Sequence, residues 1–207
     1  MEKKIVFKAT ELIPREDRRD SYEELKQKEV TYNIFNEICS EYEAISVNYD
    51  YINSVSRGNK SQYLREDGTI ATDNKKRNHF YDTKSFDALV IVENKYTKDY
   101  LKFYYFCKST KQEGGYQHDA VQELGVMLNC IEKNKDDDMV VMCMLEGPFW
   151  KPSLIKEGRF DNKKSFYITR ENMKETLIDI LKTRGLLTKK QTVASETNSE
   201  EILEAMK

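Results

Sequence analysis

The sequence carries none of the common metal or disulfide signatures. Its four cysteines, Cys39, Cys107, Cys130 and Cys143, form no C-x-x-C pair. No Cys/His spacing resembles a zinc site, so reduced structural thiols are expected. The two histidines, His79 and His118, stand alone without partners at ligand spacing, which predicts ordinary surface or loop roles. No apolar run approaches the ~18 residues needed to span a membrane, and MEKKIVFKATELIPRE lacks the apolar stretch of a signal peptide. A cytoplasmic location is the expectation. Repeats are missing too. Excess positive charge is also lacking: net charge is −2, so no overall basic field points to nucleic acid. Local basic runs do occur, at Lys75, Lys76 and Arg77, at Lys108 and Lys111, at Lys163 and Lys164, and at Lys182 to Lys190.

What is present suffices for a core. Hydrophobic residues make up 39% of 207, against 34% charged, which suits one domain with appended segments. The division is an N-terminal segment over 1–20, a domain over 21–185, and a polar tail over 186–207 with a short terminal helix capped by Asn198 or Ser199. Ser21 caps a predicted helix to about Tyr42, with Val30, Ile34, Ile38 and Tyr42 as its buried stripe. Residues 43–85 are mostly polar and predict one or two short strands with long loops, Asp67-Gly68 marking a turn. Two β-rich runs follow, Phe86 to about Asn94 and Leu101 to Ser109, joined by a polar turn. A helix is expected from Gln117 to Lys133, with Ala120, Leu124, Leu128 and Ile131 on one face and Gln117 sharing it. Next come a strand in Asp138–Leu145, a loop over Glu146–Lys164 with the sole tryptophan, a strand at Ser165–Thr169, and a helix to about Thr183 ended by Gly185. Strand, helix, strand after the hairpin implies a parallel crossover. The predicted class is α/β, with a mixed central β-sheet flanked by helices.

The chemistry concentrates in the hairpin. Asp87 opens its first strand and Lys108 closes its second. A turn centred between Thr97 and Lys98 sets the two opposite each other, with Cβ atoms ~5 Å apart. Carboxylate oxygens suit Mg²⁺, and a nearby lysine can orient or deprotonate a water for phosphodiester hydrolysis. The minimal kit is two acids and a lysine on one sheet face. Position 106 shares the face of Lys108 and would carry the second acid, but it is Phe106.

With Phe86-Asp87, Phe106-Cys107-Lys108, Gly114-Gly115-Tyr116, the run DMVVMCML, the aromatic loop to Trp150 and FYITRENMKETL in that order, the chain resembles the PD-(D/E)XK nuclease superfamily. Within it the likeness is to type II restriction endonucleases, above all type IIS cleavage domains, and covers about residues 22–183. The resemblance implies a restriction-endonuclease-like αβββαβ core and a Mg²⁺-dependent endonuclease acting on double-stranded DNA. Asp87 would bind metal and Lys108 would position the water. Duplex cleavage needs two active sites, so a homodimer or a partner subunit is implied.

Phe106 leaves three accounts open. The acid has migrated, to Glu123 in the following helix or to Glu113 in the loop before it. Or the register differs, with Ser109-Thr110-Lys111 supplying the lysine. Or the site is dead, and the protein is a nuclease-fold DNA-binding or assembly subunit beside an active partner. Glu123 lies about 100° from the centre of its helix's buried stripe, bordering the sheet. Glu37 is a further metal-ligand candidate, Gln117 and Lys111 are candidates for substrate contact, and Phe149 and Trp150 for base stacking or core packing. Glu93-Asn94-Lys95 offers an intact acid-x-lysine, but lies ~20 Å along the strand from Asp87. Its one usable partner would be Asp82.

Overall fold

The computed structural model describes residues 22–49, 61–72, 76–78, 80–109, 117–147, 150 and 164–187. Helix α1 (Tyr22–Glu41) leads into strand β1 (Ile45–Asn48). Two short strands, β2 (Tyr63–Leu64) and β3 (Ile70–Ala71), pair as a small antiparallel unit. The hairpin β4 (Ala88–Asn94) and β5 (Tyr100–Ser109) follows, then α2 (Gln117–Lys133), β6 (Met139–Glu146), β7 (Ser165–Ile168) and α3 (Met173–Thr183). Among the described residues the region after α1 thus holds three short strands, where its polar composition suggested one or two.

The five-stranded sheet has the order β1-β4-β5-β6-β7. Its β1-β4-β5 half is antiparallel, and β5-β6-β7 is parallel. The α2 crossover makes the parallel step, as a helix must when strands run the same way. One face of the sheet packs on α1 and α3: Ala88, Val90, Val92, Phe103 and Tyr105 meet Phe35, Ile38, Met173 and Leu177. On the other face Leu89, Tyr104, Phe106 and Val141 meet α2 through Leu124, Met127, Leu128 and Ile131. Helices on both faces explain why β6 is a continuous apolar run, with seven of its eight residues buried. The fold is therefore α/β, a mixed sheet flanked by helices. The packed unit runs past Gly185, because Leu186 and Leu187 are buried in the α1–α3 core.

Two expectations need correcting. The buried stripe of α1 centres on Gln27, Thr31, Phe35 and Ile38, while Val30, Ile34 and Tyr42 are half-buried. Two polar residues in that stripe hid its phase. The hairpin register is also shifted by two: Leu89 stands opposite Tyr104, not position 106. The cause is Asn94. Its Oδ1 accepts the N–H groups of Tyr96 (2.9 Å) and Thr97 (3.0 Å), and its own N–H donates to Asp99 O at 2.8 Å. The loop closes over residues 95–98, with Lys98 taking the positive φ of 65° that such a loop needs. The hairpin centre moves from 97/98 to 96/97. A shift of two keeps every side chain on its expected face.

Gly68 is set by a close approach. It has φ +82° in the β2–β3 turn, and a Cβ there would stand 2.5 Å from the backbone N of Asn134 at the end of α2. Asn134 Nδ2 donates to Gly68 O at 2.7 Å, fastening the turn to the helix. Gly68→Ala is expected to destabilise the fold by about 2 kcal/mol or more, since a side chain meets both a strained φ and immovable backbone. Urea denaturation of parent and variant measures it; equal midpoints would mean that the turn does not seat there.

Candidate active site

Asp87 lies just beyond the start of β4. Its N–H donates to Tyr105 O (2.9 Å), and its Oδ2 accepts the Cys107 N–H at 2.7 Å. The carboxylate therefore takes over the ladder at the strand's end. Continuing the β4–β5 register brings Asp87 level with Phe106, so Lys108 stands two residues further on rather than directly opposite. The carboxylate is nonetheless anchored on the amide that immediately precedes Lys108. Gln27, Lys28 and Thr31 of α1 border the small pocket that Asp87 shares with Tyr105 and Cys107.

Phe106 is 2% exposed and belongs to the α2-side core. Lys108 projects from the same strand face, and its Nζ sits 5.2 Å from the Phe106 ring centroid. From there it meets Glu123 of α2, with Lys108 Nζ 2.7 Å from Glu123 Oε2. Lys84 contacts the other oxygen, Oε1. Helix α2 turns its apolar face to the sheet, and Glu123, preceding Leu124, rides the edge of that face as its angular position predicts. Burial alone would raise the Glu123 carboxyl, but hydrogen bonds from Lys108 and Lys84 outweigh it and hold the carboxyl below its ordinary value. Glu123 is thus a half-buried anion held by two ammonium groups.

Other candidates are placed elsewhere or lie outside the described residues. Glu37 accepts from Lys174 of α3 at 3.1 Å, in a cluster completed by Glu41. It is nine residues along α1 from Lys28, or ~13 Å of helix, so it does not belong with Asp87. Asp82 is committed to its own loop, accepting from Glu66 N (2.9 Å) and Asn78 N (2.6 Å). Glu93 pairs with Lys98, and Lys95 Nζ reaches Glu43 O, both at the far end of the hairpin. The Asp82 and Glu93-Asn94-Lys95 combination is therefore not assembled. Trp150 is buried in the α2-side core, the packing role. Lys164 ties down the end of α2 through Asn134 O and Asp136 O, each at 2.8 Å. Gln117 opens α2. Its side chain lies outside the described residues, as do Glu113, Lys111, Phe149 and His79.

Lys84 and Lys28 were missed in the sequence. Lys84 stands three residues before Asp87, a spacing that flags nothing until the chain bends back along α2. Lys28 gave no signal, because a buried lysine on a helix reads as a surface one. All four cysteines are free, and burial pushes the Cys130 thiol up to about 11 and Cys143 higher still, so neither is a reactive thiolate.

The donor chemistry suits a hard divalent cation. Mg²⁺ commonly takes one or two protein carboxylates and completes its shell with water and phosphate oxygen. Asp87 borders the pocket on the α1 side and Glu123 meets Lys108 on the α2 side, each offering one carboxylate. Lys84 is 51% exposed against 25% for Lys108, so it is the ammonium that can leave Glu123 at least cost. Among the described residues no group of three or more His, Cys, Asp or Glu side chains that could hold a metal ion is gathered. No protein-family model matches the chain, and no curated protein matches it.

Acid titration tests the ion cluster. The folded-state carboxyl of Glu123 lies below the ordinary 4.5, so its contribution is present above that pH and is lost as pH falls through the lower folded value. Glu123→Gln is expected to lose about 1–3 kcal/mol at pH 7 and to show a weaker further loss on acidification. Denaturant midpoints from pH 7 down to pH 3 check it; parallel curves for parent and variant would remove the cluster from the acid response.

Proposed function

We propose that this protein is a metal-dependent DNA endonuclease of the PD-(D/E)XK kind, with its second acid moved from the strand to α2. The observation that carries this reading is the 2.7 Å contact between Lys108 Nζ and Glu123 Oε2, across the position where Phe106 replaces the strand acid. Asp87, held on the Cys107 amide, supplies the first carboxylate. Mg²⁺, when bound by Asp87 and Glu123, supplies Lewis acidity toward the phosphate. Lys108 Nζ would orient the attacking water, whose proton passes to solvent, while Glu123 is kept ionised by its lysines. Water oxygen bonds to phosphorus as the bond to the leaving sugar oxygen breaks, and that oxygen is protonated from solvent. Two such sites, from a homodimer or a partner subunit, cut both strands of a duplex.

A second reading is favoured by a specific feature. Phe106 is sealed in the core, and both Glu123 oxygens already meet ammonium groups. That arrangement also suits a nuclease-fold protein that has lost cleavage and serves as a DNA-binding or assembly subunit.

Supercoiled-plasmid nicking in Mg²⁺ separates the two. Asp87→Ala, Lys108→Ala and Glu123→Ala should each lower the nicking rate by about 100-fold or more. Cleavage by all three at the parental rate would sink the assignment. Mg²⁺ binding by the parent protein without any nicking would support the degenerate subunit.

A further inference from the structure

A cleft of about 360 Å³ opens beside Glu123, between the 76–84 segment and α2. Arg77, Phe80, Lys84, Gln122 and Val126 line it together with Glu123. That volume falls in the range of small-molecule sites. Phe80, which lines it, is 85% exposed and its neighbour Tyr81 54%.

The exposure of Phe80 is fixed by the backbone. Asp82 accepts from Glu66 N and Asn78 N, and its own N–H donates to Asn78 O at 2.7 Å. Phe80 N donates to Asn78 Oδ1 (3.1 Å), and Thr83 exchanges hydrogen bonds with Leu64 at 3.0 and 2.9 Å. A hydrogen-bonded turn therefore holds an aromatic ring in solvent, at a cost in apolar exposure that a flat, π-faced ligand would offset. Arg77 adds a second signal: its Nε is buried without a hydrogen-bond partner among the described residues. The carboxylates in the cleft are engaged, Asp82 by two N–H groups and Glu123 by two lysines. A guanidinium and an exposed aromatic ring thus share one cleft.

We infer that this cleft takes one unstacked nucleotide of a nucleic-acid strand, its base on Phe80 and its phosphate at Arg77. The inference rests on the reading of the protein as one that handles nucleic acid, and gives that substrate a local form: a splayed or single-stranded nucleotide rather than a continuous duplex. An apolar peptide segment fits less well, because it brings no anion to Arg77. Stacking on one aromatic ring is sequence-tolerant and accounts for about ten-fold in affinity. The bound nucleotide would lie against the Lys108–Glu123 pair, since Glu123 lines the same cleft.

The test uses a fluorescein-labelled single-stranded oligonucleotide and its duplex, titrated with the full chain by anisotropy in EDTA. Binding is thereby read without cleavage. Phe80→Ala should weaken single-strand binding about ten-fold while Phe80→Trp retains it, and neither should alter the denaturation midpoint, the ring being exposed. Arg77→Ala should reduce the slope of log affinity against log salt by about one phosphate's worth. If Phe80→Ala binds as the parent does, or if neither oligonucleotide binds, the inference is overturned. Plasmid nicking by the parent that persists in Phe80→Ala, with unchanged binding, would leave the endonuclease reading standing and remove this one. The predicted binding pattern in a protein that never nicks would do the reverse.

Discussion

The side chain of Asn94 governs the arrangement of the sheet and, through it, the site. It organises the β4–β5 turn with its oxygen, and its Nδ2 donates to Leu186 O at 2.8 Å. One buried amide therefore sets the register of the central hairpin and secures the chain that follows α3. Side chains alternate along a strand, so this register decides which face each residue of β5 joins. Phe103 and Tyr105 go to the α1–α3 side, and Tyr104, Phe106 and Lys108 to the α2 side. The position of Lys108 under the edge of α2 follows from that alternation.

The site is a compromise between burial and charge. Phe106 fills core space on β5 where a carboxylate would have to be desolvated. At the rim of α2, Glu123 keeps partial access to water and two lysines stabilise it. Apolar packing and ionic contact meet along one line, the ring of Phe106 beneath and the ammonium of Lys108 above. Asp87 is anchored on the Cys107 amide at the end of β5.

Much of this was legible in the sequence, for identifiable reasons. Helix α2 was placed residue for residue, because Leu124, Leu128 and Ile131 recur at helical spacing between polar ends. The continuous apolar run of β6 and the hairpin strands were equally clear, as was the left-handed Gly185 that ends α3. The angular estimate for Glu123 pointed to the sheet border, where it meets Lys108. The turn register was misjudged, since alternation within strands is indifferent to a shift of two, and only the hydrogen bonds of Asn94 decide it. Glu37 misled because a helical acid offers no clue to its partner, here Lys174, which is 137 positions away. Lys84, Lys28 and the loop-holding role of Asp82 depend on long-range proximity that no local pattern encodes.

The sharing of Glu123 by Lys84 and Lys108 has a thermodynamic corollary. One negative charge serves two positive ones, so this patch carries surplus positive charge although the chain as a whole is at −2. An anion that draws the exposed Lys84 aside leaves Glu123 with one counter-charge fewer and a stronger appetite for a metal ion. A metal ion on Glu123 releases Lys84 to the anion in return. Two ligands of opposite sign linked through a single carboxylate would, if both bound, raise each other's affinity by the same factor.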